Sequence, residues 1–354
     1  MGNSLKQPIL GLAGAVFVLA IALSIAAQFD PLTFGSWVPL IVLSGLPVQV
    51  VVGLVWKGDY PGFLKGLGQP AKGIAIFLMM TAVSAVVAPI LLGSIGGDLK
   101  PPTPFVVMFV IFSVLNLFWL ITTFQCWPMT AFTKHPAVIG IGIWAITYIF
   151  TWITFRLFFD FGAMQAAPFY QAAADPHGIF PAWVALGFSC TTVLVTMGLV
   201  LLDFWPLSQF PGLARQPLFG VAATLLIIVV SLVIQYLGLS VFHMDPPDFM
   251  VRVAVSGLFG EFILVVLMQM SVFGGLVQPV KGIARLVLVA VLAVVMQRFY
   301  QWAGLTLVGP MTNQAPDFAL ELWTANAMLG VTFPVIAVFG DSFGFWPLKS
   351  GRPD

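Results

Sequence analysis

Residues 245–272 read DPPDFMVRVAVSGLFGEFILVVLMQMSV: an acidic, proline-rich knot, a phenylalanine at 249, then an apolar run long enough to cross a bilayer. The same opening occurs at Asp30-Pro31 with Phe34, at Asp98 through Pro102 with Phe105, at Asp175-Pro176 with Phe180, and at Pro316-Asp317 with Phe318. Successive knots lie about seventy residues apart, room for two membrane-spanning helices and two short connections. The pattern predicts an all-α polytopic membrane protein built from five tandem, parallel two-helix hairpins. The copies cover approximately 1–70, 71–136, 137–217, 218–279 and 280–354 of a single membrane domain.

Composition supports the membrane class. Of 354 residues, 60% are hydrophobic and only 8% are charged, and the mean hydropathy is +1.04; a soluble chain of this length needs far more charge to cover its surface. The net charge of +1 and the absence of a basic tract argue against nucleic acid as a partner. Cys126, at a helix end, and Cys190, inside a span, read as small buried apolar residues rather than a disulfide. The run from Ile9 to Ala27 passes into Phe29-Asp30-Pro31 without a convincing small-residue cleavage site, so it reads as a first span and not a signal peptide.

Apolar stretches of roughly twenty residues predict ten spans. They cover approximately 9–27, 36–55, 72–94, 105–125, 137–159, 180–202, 218–239, 250–272, 282–303 and 319–340. Gln69-Pro70, His135-Pro136, Gln216-Pro217 and Gln278-Pro279 stand where odd-numbered spans begin, and proline in a first turn has no hydrogen bond to lose. Pro47, Pro89 and Pro334 fall within or near the ends of spans and predict bends. Cytoplasmic loops retain lysine and arginine. Lys6, Lys57, Lys65, Lys72, Lys134, Arg215, Lys281, Arg285, Lys349 and Arg352 share the side of the termini, against Lys100, Arg156, Arg252 and Arg298 on the other. Ten against four predicts a multi-pass inner-membrane protein with both termini cytoplasmic.

On that inner side the even-numbered spans end in Cys126-Trp127-Pro128, Phe204-Trp205-Pro206 and Phe345-Trp346-Pro347, which suits an interfacial stop, because tryptophan favours the headgroup level and proline cannot continue a helix. The alternative is a ligand contact. Outside, an Asp before each even span suits N-terminal capping.

Polar residues in the even spans place those helices centrally: Ser44 and Gln49, Ser113 and Asn116, Ser189 with Thr191 and Thr192, Ser256 and Glu261, Asn326 and Thr332. Most lie near mid-depth, so they predict a polar belt. Glu261 is the sharpest of them, the one acid deep in a span, where an ionised carboxylate costs several kcal/mol unless paired. It reads either as a proton, cation or substrate contact, or as a neutral side chain gluing helices together. Arg156, Arg252 and Arg298 sit near outer helix ends. They either snorkel to the headgroups or, with Gln235 and Gln297 at similar depth, form an outer vestibule for an anion.

No paired intramembrane histidines, Walker A loop, His-Glu-x-x-His or Gly-x-Ser-x-Gly element occurs. No cofactor or metal is therefore expected; His243 with Asp245, and Asp175 with His177, make only a weak loop pattern for a metal. Met79, Met80, Met268 and Met270 read as packing rather than soft-metal ligands. The expected function is a permease or channel for a small solute, its path lined by Glu261, Asn116, Thr192, Ser44 and Asn326, with Glu261 offering proton or cation coupling. Its partners are then the lipid bilayer and the solute. The alternatives are a membrane subunit that anchors or assembles a larger complex, docking through the Trp-Pro rim, and an intramembrane enzyme acting on a lipid or isoprenoid with Glu261 as acid or base.

Overall fold

The computed structural model describes residues 5–165, 167, 170–314 and 318–349. The Pro316-Asp317 knot, Arg352 and Asp354 lie outside the described residues. Among those described, ten helices are long and apolar enough to span a membrane: α1 Ile9–Ala26, α2 Pro31–Val55, α3 Ala71–Ser94, α4 Pro104–Thr123, α5 Pro136–Phe158, α6 Ala182–Leu201, α7 Leu218–Val241, α8 Pro246–Leu267, α9 Val280–Leu307 and α10 Ala319–Ser342. Each falls on an expected span. The largest differences are at α2, which starts five residues early because Asp30 Oδ1 accepts the backbone N–H groups of Leu32 and Thr33, and at α8, which ends early because Gln269 and Met270 take left-handed φ angles.

The ten helices sort into two layers. Between 67 and 78% of α2, α4, α6, α8 and α10 is buried inside the protein, against 28–33% of the odd-numbered helices. The buried five pack in a closed ring, α2 on α4, α4 on α6, α6 on α8, α8 on α10, and α10 back on α2. Every outer helix covers a seam of that ring: α1 lies on α10 and α8, α3 on α2 and α10, α5 on α4 and α2, α7 on α6 and α4, and α9 on α8 and α6 with a further contact to the start of α10. Lipid tails are as apolar as leucine, so such packing depends on close backbone approach and polar contacts. Gly45 and Gly260 supply the approach: a Cβ on either would stand 2.9 Å from the Met80 carbonyl oxygen of α3 or 2.8 Å from the Val289 carbonyl oxygen of α9.

A recurrent clasp fixes the outer helices at the lysine-rich face. The Gln before the opening proline donates from Nε2 to a carbonyl at the end of an inner helix, Gln7 to Leu267, Gln69 to Ser342, Gln216 to Thr123 and Gln278 to Leu201. Its Oε1 accepts the backbone N–H four residues on, from Gly11, Gly73, Gly220 and Gly282. Glycine is required there because the clasped helix end sits against it; a Cβ on Gly11 would lie 2.6 Å from the Leu267 oxygen. At the fifth position His135 replaces Gln, and the bond reverses, with Nε1 of Trp56, the residue that follows α2, donating to the Pro136 carbonyl at 2.7 Å. Each clasp therefore joins an outer helix to an inner helix three places back in the chain around the ring.

Capping by the acidic knots is narrower than expected. Asp30 caps α2, and its bonds to Thr33 hold its carboxyl below the ordinary carboxylate range. Asp245 makes no such bond, and Asp98 occupies a left-handed turn, with Thr103 preceding α4. Buried Asp175 instead pins the long loop between α5 and α6, accepting from the backbone of Phe161 and His177 and from the Tyr170 hydroxyl. Phe161 stacks on Phe105 of α4, with ring centroids 4.3 Å apart. The loop is thus folded onto the bundle.

Candidate functional site

The axis of the inner ring is where five helices meet one space. A cavity of about 70 Å³ is lined by α2, α4, α6, α8 and α10, with Leu46, Leu115, Cys190, Leu258 and Leu329 among its walls. On α8 the wall runs from Met250 to Phe262, which is about 18 Å at 1.5 Å per residue. Asn326 is the one amide or charged side chain on the wall, and it opens a π-helical turn, Asn326–Thr332. Another π-helical turn, Met250–Val255, carries the facing stretch of α8. The backbone of both turns is compensated from the side chain: Thr332 Oγ1 donates to the Ala327 carbonyl and Ser256 Oγ to that of Val251, each five residues back.

Toward the lysine-rich face the cavity ends on three phenylalanines from three helices. Phe262 of α8 and Phe333 of α10 stack with ring centroids 3.9 Å apart, and Phe118 of α4 leans on both, at 5.7 and 6.0 Å. Toward the other face, Arg252 joins Asp248 in the first turn of α8 to Glu321 in the first turn of α10, with Nε 2.5 Å from Asp248 Oδ1 and Nη2 3.4 Å from Glu321 Oε1. The Glu321 side chain is fully buried and its Oε2 lacks a partner.

Of the five residues expected along a path, Asn326 alone lines this cavity. Ser44 and Thr192 donate to carbonyls of their own helices, Leu40 and Ser189. Asn116 reaches outward to Thr151 of α5 at 3.0 Å. Glu261 is completely buried, and neither carboxylate oxygen has a partner; it faces the seam where Gly198 of α6 and Leu286 of α9 come together. A hydroxyl that bonds its own helix needs no central partner. For that reason Ser44 and Thr192 do not gather on the axis. The three arginines of the expected vestibule are also dispersed: Arg156 lies over the Trp152 ring at 4.8 Å, Arg252 serves the ion pairs above, and Arg298 is exposed.

Two features escaped the sequence reading. The Gln-Pro-x-x-Gly spelling is visible four times, at Gln7, Gln69, Gln216 and Gln278, and it is the glycine four residues after each Gln, not the Gln-Pro pair alone, that signals the clasps. The phenylalanine triad had no such signal, since Phe in an apolar span looks the same toward lipid or axis. Cys126, beyond the end of α4, is buried, which pushes its thiol up to about 11 and leaves it unreactive.

The chain matches no family model, no curated protein and no solved structure.

Proposed function

We propose that the protein is a channel or permease for a small solute, with its path along the axis of the inner ring and its closed state held by Phe118, Phe262 and Phe333. In the same proposal the chain is five tandem parallel hairpins in the inner membrane with both termini cytoplasmic. The cyclic order of the clasps, in which every outer helix answers to an equivalent inner one, supports the repeat. The observation that carries the function is the axial cavity touched by all five inner helices. Apolar constrictions stop water and ions by dewetting, so a stacked phenylalanine triad is a sufficient barrier at that end. Glu261, buried and unpartnered one seam away from the axis, is the group proposed to couple opening or transport to a proton or cation, as unpaired intramembrane carboxylates commonly do.

The test is flux in protein-containing liposomes, for a panel of small neutral and ionic solutes. Phe262→Ala and Phe333→Ala are expected to raise passage by about tenfold or more, the equivalent of about 1.4 kcal/mol off a barrier. Glu261→Gln is expected to flatten the pH dependence of wild-type flux. Passage no greater than in protein-free liposomes, for wild type and both alanine variants, would discard the reading.

A further inference from the structure

We infer that the axial cavity is a binding site for one small, uncharged, apolar molecule, of the size class from xenon and methane to propane, and that its occupant obstructs the axis. The obstruction rests on the proposed conduit; the binding does not. Water is a poor occupant, because an enclosed water needs two to four polar partners and Asn326 is the one amide on a wall otherwise built from apolar side chains and a glycine. An ion is poorer still, since no carboxylate or guanidinium on that wall replaces its hydration. Cavities lined by Leu, Ile and Phe stay dry and take up apolar guests, one of about 150 Å³ admitting benzene. This cavity, at about 70 Å³, is less than half that size and selects something smaller. Its walls keep their shape because each inner helix is clasped from outside, and because the triad closes one end by ring stacking rather than by a loop.

Xenon is the probe. Xenon NMR of the purified protein in micelles, referenced to empty micelles, is expected to show a saturable shift that propane displaces and urea does not. Two variants fill the cavity from opposite walls, Leu186→Phe on α6 and Ala325→Leu on α10, and each is expected to weaken xenon binding by about tenfold or more. A wild-type shift that rises linearly with xenon pressure, like the empty micelle, overturns the inference whatever the variants do. So does saturable binding that persists unchanged in both variants when they are folded by circular dichroism. Solute flux without saturable xenon binding refutes this site and leaves the conduit standing; xenon binding without flux of any solute does the reverse.

Discussion

The inner and outer helices are drawn from the same apolar vocabulary, yet one set is two-thirds or more buried and the other one-third or less. In water such a difference would follow from hydrophobicity. In a bilayer it cannot, because lipid and helix surfaces are equally apolar. What separates the two sets is which side of a hydrogen bond each supplies at the lysine-rich face. Close-approach glycines occur in both sets, Gly45 and Gly260 in inner helices and Gly11, Gly73, Gly220 and Gly282 in outer ones. Inner helices differ in carrying the carbonyl ends that the four Gln clasps grip, whereas outer helices present exposed leucine, isoleucine and valine along most of their length. Hydropathy alone therefore does not rank position in this molecule.

Substitutions break that comparison most sharply where a large side chain is removed. Phe262→Ala is expected to cost about 3–5 kcal/mol of stability, as for other buried phenylalanines, while Phe77→Ala on the lipid-facing side of α3, 49% exposed, should cost under about 1 kcal/mol. Unfolding curves in mixed micelles measure both, and similar losses would mean that the layers are not distinct. Next come the clasps. Gln216→Ala removes two hydrogen bonds and should cost about 1–2 kcal/mol. His135→Ala should cost less, because at that position Trp56 makes the bond; Trp56→Phe is the substitution that should reproduce the loss. An equal cost for His135→Ala and Gln216→Ala would show that the fifth clasp works as the others do.

The smallest effect is one of pH. The hydrogen bond from Gln278, and then the Lys281 ammonium at 3.0 Å, hold the Asp203 carboxyl below its ordinary value. A carboxyl lowered on folding contributes stability that is fully present above its unfolded value of about 3.9 and is lost as pH falls through the lower folded value. Asp203 is about half exposed, so solvent screening limits the contribution to under about 1 kcal/mol. Thermal unfolding between neutral pH and pH 3 should show this loss in wild type, reduced in Gln278→Ala. An unchanged acid dependence in that variant would remove the Gln278 bond as its cause.

Much of the fold was legible from residues 245–272 and their counterparts. The ten spans, the proline starts of the odd helices and the central placement of the even ones all follow from length, proline chemistry and intramembrane polar groups. The site was not legible in the same way. Ser44, Thr192 and Asn116 signalled a polar path, but Ser44 and Thr192 bond their own helices and Asn116 bonds an outer one, so Asn326 apart the wall was left to apolar side chains and a glycine. A polar residue announces that it needs a partner without saying where the partner is.

The amino-acid sequence by itself determined that the described residues form ten helices long and apolar enough to cross a membrane, and approximately where each lies, because a bilayer tolerates only long apolar runs whose backbone bonds close within the segment. Only the tertiary structure decided which apolar face meets lipid and which meets the axis. That choice depends on contacts such as Gln69 with Ser342 and Gln7 with Leu267, between residues about 270 positions apart. It also depends on three phenylalanines from separate helices arriving at one point, which no local pattern encodes.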